Sequence, residues 1–268
     1  MNEDHLLERM TWPEVEAAVE HGIDAVLVPF GSIEQHGHHM PLDTDCFIAR
    51  ALAERAAVHG FGDGVRLLVA PTVNVTVSWY HMQFPGSMRL TTDTFLRVFR
   101  DVCDSLVHHG LETIVVVNGH GGNVPALTVA VNDYLAKTGR RVLVANWIEL
   151  APEVIAELET PTIHAEEAET SLALALGQRV DMDRAARGAF HRGDAVREAG
   201  LPWTSLGKYD AFHRGPSVIV PMDMLRDITA SGVVGDAAPA NAETGQRIVE
   251  LVVPRLVQVA REFARGAS

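Results

Sequence analysis

The stretch AVLVPFGSIEQHGHHMPLDTD, residues 25–45, changes character part of the way along. Its opening run, Ala25 to Phe30, is apolar without alternation, as expected of a strand buried on both faces of a sheet. The loop that follows carries Glu34, His36, His38, His39, Asp43 and Asp45. A solvated turn can be that polar. Here, however, the polar loop leaves the carboxyl end of a buried strand, which is where open parallel α/β sheets place their ligands.

The same alternation of apolar runs and helical patterns extends in both directions. TWPEVEAAVEHG (11–22) reads as a helix with Thr11 as N-cap and Pro13 in its first turn. DTDCFIARALAERAAVHG (43–60) reads as a second helix, whose start carries Asp43 and Asp45. LLVAPTVNV (67–75) is a strand candidate. TTDTFLRVFRDVCDSLVHHG (91–110) places Phe95, Leu96, Phe99, Val102, Cys103 and Leu106 on one helical stripe ending at Gly110. TIVVV (113–117) is the clearest strand. It leads into NGHGGN and the helix VPALTVAVNDYLAKTG, followed by the strand RVLVAN (141–146). AEEAETSLALALG (165–177) and a long segment from about Ala242 to Arg265 read as helices, and SVIVP (217–221) as a further strand. Strands spaced by helices in this way imply an α/β fold with a mostly parallel sheet covered on both faces. A single domain over residues 1–268 is expected, with an elaborated loop region around 188–224.

Composition narrows the function classes. Of 268 residues, 47% are hydrophobic and 21% charged, enough apolar material for a large core. A formal charge of −13, from 22 basic and 35 acidic residues, argues against nucleic acid or an anionic membrane as the main partner. Cys46 and Cys103 are isolated inside helical segments and read as small buried hydrophobes in a reducing, cytoplasmic compartment. The first residues lack an apolar signal core, and no apolar run approaches the roughly 20 residues of a membrane span.

The polar motifs suggest a metal site. Glu34, His36, Asp45 and His120 supply carboxylates and imidazoles without a soft thiolate, a set suited to Zn, Mn or Fe. In an extended segment Glu34 and His36 share a face and could reach adjacent ions, while Asp45 could bridge two ions through its two oxygens. Such a pair would activate water and polarise a carbonyl. The bland readings are a solvated turn for His38 and His39, and helix N-caps for Asp43 or Asp45. NGHGGN could instead hold an anion at a helix start, but it lacks the spacing and the lysine of a phosphate loop. In HAEEAETS, a helix would place His164, Glu167 and Ser171 on one face. None of Ser32, Ser78 or Ser171 sits in GxSxG, which disfavours a serine nucleophile.

Four ordered blocks, GSIEQHGHHMPLDTD, HMQFPGSMRLTTDTF, VVVNGHGGN and HAEEAETSLALAL, resemble the signature blocks of the creatininase (creatinine amidohydrolase) family. The likeness spans roughly residues 10 to 180, with a weaker echo in SGVVGDAAPANAETGQRIVE. The resemblance implies a three-layer α/β/α sandwich, commonly a homohexamer. It also implies two divalent ions per subunit, with zinc the first choice and manganese or iron alternatives, and a hydrolase acting on amide-like C–N bonds. Carried over by position, Glu34, His36, Asp45 and His120 fall on metal ligands with Asp45 as the bridge. Glu169 is the choice for a fifth ligand, with Glu167 the alternative.

The expected chemistry is attack by a metal-bridging hydroxide, with His164, or else Glu167, giving a proton to the leaving nitrogen. Backbone N–H groups of Gly121 and Gly122 would steady the oxyanion. Ser78 and His81, with Trp79 and Tyr80 between them, would wall the substrate, joined by Trp147. Two departures count against creatinine as the small-molecule substrate. Creatinine-acting members carry a metal-binding glutamate where this chain has Gly122, and a lid tryptophan where it has Thr160. The substrate range expected is therefore a cyclic amide, a formamide or a small peptide amide. The alternatives are a cyclic ketone such as an oxidised inositol, a non-catalytic α/β metal-binding protein, or a protein binding a nucleotide or sugar phosphate.

Overall fold

The apolar run at residues 25–30 forms strand β1 (Ala25–Phe30), one of the two inner strands of a four-stranded parallel sheet. The others are β2 (Leu67–Val69), β3 (Ile114–Asn118) and β4 (Val142–Asn146), in the order β2-β1-β3-β4. The structure, a computed structural model, describes residues 5–160, 162–188 and 222–267. The expected strand SVIVP, and all but the ends of the loop region expected around 188–224, lie outside the described residues.

Side-chain alternation along the strands divides the core into two layers. Ala25, Leu27, Leu67, Val69, Val115, Val117 and Ala145 face one side. There they meet α2 (Thr44–Gly62), α6 (Glu167–Leu176) and the long C-terminal helix Ala242–Ala267. Val26, Val28, Phe30, Leu68, Ile114, Val116 and Val142 face the other. They pack on α3 (Thr92–His108) and α4 (Val124–Thr138), chiefly through Phe95, Phe99, Leu127 and Tyr134. The result is the α/β/α sandwich expected from the sequence, with two shorter helices, α1 (Trp12–Glu20) and α5 (Pro152–Ile155), completing the labelled set. No helix among the described residues is long and apolar enough to cross a membrane.

Strand β2 is shorter than the sequence suggests. It was expected to run to Val75, but its pairing stops at Val69 and resumes only as a single bridge between Phe30 and Val73. The Pro29 carbonyl accepts from Val73 N, so the missing Pro29 donor faces this same edge. The ladder lacks the donor it would need at Pro29 to continue in register. The chain past Val73 is freed to turn across the carboxyl end of the sheet.

Two close backbone approaches hold the layers in place. The first turn of α2 rests on the glycines that end β1 and β3. A Cβ at Gly31 would overlap the Cys46 backbone, and one at Gly119 would overlap the Asp45 carbonyl. On the same face, Gly245 of the C-terminal helix lies directly against the Ser171 carbonyl and Ala175 of α6. Gly245→Ala is therefore expected to destabilise the fold by about 2 kcal/mol through overpacking, read as a fall of several degrees in Tm. Gly266→Ala, whose added carbon meets open space, should leave Tm unchanged or slightly raised.

Candidate metal centre

Strands β1 and β3 are neighbours and end level with one another, with Phe30 paired to Asn118. The loops that leave them therefore emerge side by side. The first brings Glu34 and His36, the second brings His120, and the α2 turn seated on Gly31 and Gly119 inserts Asp45 between them. Glu169 enters from the first turn of α6. Together these side chains form two overlapping groups of ligand-type atoms, Glu34–Asp45–His120 and His36–Asp45–Glu169, each within 4.8 Å of one another. Asp45 belongs to both. A third group, Glu34–His36–His164, adjoins them.

The pairwise geometry is tight. His36 Nε2 lies 3.1 Å from Asp45 Oδ1 and 3.9 Å from Glu169 Oε2. His120 Nδ1 lies 3.1 Å from Asp45 Oδ2 and 3.3 Å from Glu34 Oε1. Glu34, His36 and Asp45 have essentially no solvent exposure. Glu34 Oε1 and Asp45 Oδ2 are close to these imidazoles, yet neither receives an aligned hydrogen bond. Buried carboxylate lone pairs without donors are costly. Such atoms converging on one point are what divalent ions require, so the residues present fit a metal centre on this geometry alone.

The far nitrogen of each imidazole supports the same conclusion. His36 Nδ1 is 3.1 Å from the Glu34 carbonyl, His120 Nε2 is 3.1 Å from the Val77 carbonyl, and His164 Nε2 is 2.8 Å from the Gln35 carbonyl. A carbonyl only accepts, so His36 Nδ1 and His120 Nε2 carry their hydrogens there, whereas His164 Nε2 meets both the Gln35 carbonyl and, at 2.9 Å, the donor nitrogen of the Gln35 amide. The opposite nitrogen of each ring is turned towards the cluster. Main-chain acceptors behind metal-facing imidazoles fix both ring orientation and tautomer.

Burial disfavours charge on every group here, and pairing decides the outcome. Against burial, Asp45, Glu169 and Glu34 raise His36 to about 10, and Glu34 and Asp45 raise His120 to about 9. Asp45 is held well below the usual carboxylate range, because His36 and His120 override its burial. Burial raises Glu34 and lifts Glu169 to about 7. His164 and His81, buried beside other imidazoles, are pushed well below the ordinary histidine value and stay neutral.

The structure separates the remaining expected residues. Ser78 and His81 are buried against Glu34 instead of lining an open wall. Ser78 Oγ donates to Glu34 Oε2 at 2.5 Å, and His81 Nε2 is 3.1 Å from Glu34 Oε1. Glu167 is turned away from the cluster and accepts from Glu159 N at 3.1 Å. Two helical steps, at about 100° each, set it nearly opposite Glu169. His164 precedes α6, so it shares no helical face with Glu167 or Ser171. It reaches the centre from a backbone bridge to Val234. Its Nδ1 is 3.7 Å from Glu34 Oε1. Glu166 is the N-cap, accepting from Ala168 N and Glu169 N. Ala165, at φ 53, donates its N–H to Glu169 Oε2 at 2.6 Å and so fixes that carboxylate. Trp147 lies in the apolar core with Ala151 and Val154. Gly121 faces open space, whereas Gly122 is covered by Tyr80.

Several supporting residues carried no signal of their own in the sequence. Gln35 Nε2 donates to the Gly232 carbonyl at 3.0 Å and to His81 Nδ1 at 3.2 Å. Asn118 Nδ2 donates to the His120 carbonyl at 2.8 Å, and Asn123 Nδ2 to the Gly31 carbonyl at 3.1 Å, tying the two loops together. His39 Nε2 is 2.9 Å from Thr170 Oγ1, so His39 belongs to the support of α6 and not to the cluster. The paired asparagines of NGHGGN were visible as a motif, but their partners were not.

Comparison with known proteins gives consistent results. The family described as "Creatininase: Creatinine amidohydrolase" matches residues 8–260. The creatinine amidohydrolase of Pseudomonas putida is 27% identical over 282 residues, covering 98% of each chain. The mycofactocin precursor peptide peptidase of Mycobacterium ulcerans is 31% identical over 263 residues, covering 94% of this chain and 86% of the relative. The solved structure "Creatininase Mn" superposes with a TM-score of 0.71 at 26% identity, covering 96% of this chain and 98% of that one.

The protonation states above predict how this centre responds to pH. His36 and His120 are held above their unfolded value of about 6.5, at about 10 and about 9. Their contribution to the metal-free fold is complete below about pH 6.5 and is lost as pH rises through 9 to 10. Ligation needs both rings neutral and Glu169, held at about 7, ionised, so zinc uptake at pH 7 should release at least two protons per chain. Calorimetry in buffers of different ionisation enthalpy counts them. Uptake without proton release would contradict this arrangement.

Proposed function

We propose, from the premise that the chain belongs to the creatininase family, that it is a metal-dependent hydrolase of an amide-like C–N bond. A cyclic amide, a formamide or a small peptide amide fits the reading. The observation that carries it is the pair of ligand groups sharing Asp45 at the carboxyl edge of the sheet. In this reading Glu34, Asp45 and His120 hold one divalent ion, and His36, Asp45 and Glu169 hold the second. The nitrogen and oxygen donors suit zinc, with manganese or iron also accepted. Ions bound there supply Lewis acidity and lower the pKa of water.

The chain's own residues do the rest. His164 is neutral, its Nε2 is held by the Gln35 carbonyl and the Gln35 amide nitrogen, and its Nδ1 faces the centre. It is the group placed to take a proton from water and return it to the leaving nitrogen. Glu167, turned to the Glu159 backbone, is left out of that role. The N–H groups of Gly121 and Gly122 remain the oxyanion donors of this reading. Ser78 and His81 become positioning residues that hold Glu34. The substrate is something other than creatinine: position 122 offers no carboxylate, and Trp147 is committed to the core.

Metal analysis of protein purified without added metal tests this directly. About two ions per chain are expected in the wild type, with near-complete loss in Asp45→Ala. Zinc- or manganese-loaded protein should hydrolyse at least one of a panel of cyclic amides, formamides and short peptides, and a chelator should abolish that turnover. Metal content indifferent to Asp45→Ala would sink the two-ion arrangement. A loaded protein inert to the whole panel would point to the non-catalytic alternative.

A further inference from the structure

The loop between β2 and α3 carries Tyr80, expected from the sequence on the substrate wall but given no specific contact there. Its ring stacks near His120, with centroids 6.3 Å apart, and meets Trp79 edge-on at 5.7 Å. Trp79 is 43% exposed, so this aromatic pair runs from the surface to the centre. Tyr80 Oη lies 3.3 Å from His120 Nε2. It occupies the space beside Gly122, where any Cβ would overlap both that hydroxyl and the His120 ring. The loop conformation of this chain therefore admits no side chain at 122, and the tyrosine hydroxyl stands there instead.

The hydrogen-bond roles follow from His120. Its Nδ1 faces the carboxylates and its Nε2 carries the hydrogen, shared between the Val77 carbonyl and Tyr80 Oη. Towards His120 the phenol can only accept. Its own hydrogen is not used by any other described residue's hydrogen bond. A donor left free beside the His120 ring, in the space next to Gly122 and partly open to solvent, is available to water or to an acceptor on whatever binds at the centre.

We propose that Tyr80 is a substrate-contacting residue whose hydroxyl, seated in the space that Gly122 leaves open, donates to an oxygen of the group bound at the metal centre. The inference rests on the metal-dependent reading above and deepens it. It assigns to a side chain from the β2–α3 loop a contact that the glycines of NGHGGN cannot make with side chains of their own. It also requires a ligand with a carbonyl or oxyanion acceptor close to the metal-held atom.

The test uses zinc-loaded full-length protein and acetohydroxamic acid, a small carbonyl-bearing zinc ligand, with binding measured by calorimetry. Tyr80→Phe keeps the ring and its stacking but removes the donor. It should weaken hydroxamate binding about five- to tenfold, the usual worth of one hydrogen bond, while zinc stoichiometry and Tm stay as in the wild type. Gly122→Ala, by displacing the hydroxyl, should weaken the hydroxamate at least as much. Equal hydroxamate affinity in wild type and Tyr80→Phe would overturn the assignment, as would a wild type that holds zinc but ignores the hydroxamate. A wild type that binds no zinc would instead overturn the metal-dependent reading on which this one stands.

Discussion

Asp45 is a carboxylate with about 1% solvent exposure, placed in the first turn of a helix that is itself pressed onto two strand ends. A charge in that position is tolerated only if cations meet both of its oxygens. His36 and His120 do so from two separate loops. Everything else at the carboxyl edge is arranged around this demand. The glycines ending β1 and β3 let the helix descend far enough for the carboxylate to sit between the loops. The level ending of the two strands brings the imidazoles to either side. The helix N-terminus adds its own favourable field. In the absence of metal, protons on the two rings supply the compensating charge, and for this reason those rings hold them so far above pH 7.

The orientation of the imidazoles is a main-chain property. His36 and His120 donate to backbone carbonyls, and another carbonyl lies 2.8 Å from His164 Nε2. Two of those carbonyls, of Glu34 and Gln35, lie within the polar loop itself. The third, of Val77, belongs to the segment that turns away where Pro29 leaves the β1–β2 ladder without a donor. The early end of β2 and the placement of His120 are thus linked. A strand continuing past Val69 would have carried Val77 elsewhere and left the ring without its acceptor. Gln35 connects the same loop to the segment ahead of the C-terminal helix through Gly232, which binds the two halves of the described chain around His81 and His164.

The pair formed by Tyr80 and Gly122 shows how one loop can compensate for another. A glycine after the metal-facing histidine gives up a side chain, and the space is taken by a phenol from a different strand–helix connection. A carboxylate at that place would favour a further cation, whereas a neutral hydroxyl favours an oxygen-bearing ligand. The exposed Trp79 extends the same surface outward.

The local pattern of the sequence determined the elements and the ligand candidates. Uninterrupted apolar runs identified β1, β3 and β4 because strands buried on both faces have no polar phase. Helical stripes and glycine stops bounded α3 and α4. Glu34, His36, Asp45 and His120 stood out because polar residues directly after such strands have few other places to go. Resemblance, not pattern, singled out Glu169. Tertiary structure decided which of the three glutamates entering α6 meets Asp45, since a helix face is defined only once the helix start is known. It decided that Ser78 and His81 serve Glu34, that Trp147 belongs to the core and that Tyr80 fills the place beside Gly122. Each of these depends on contacts between residues tens to hundreds of positions apart. A local pattern records the period of an element but carries no information about the neighbour it will meet.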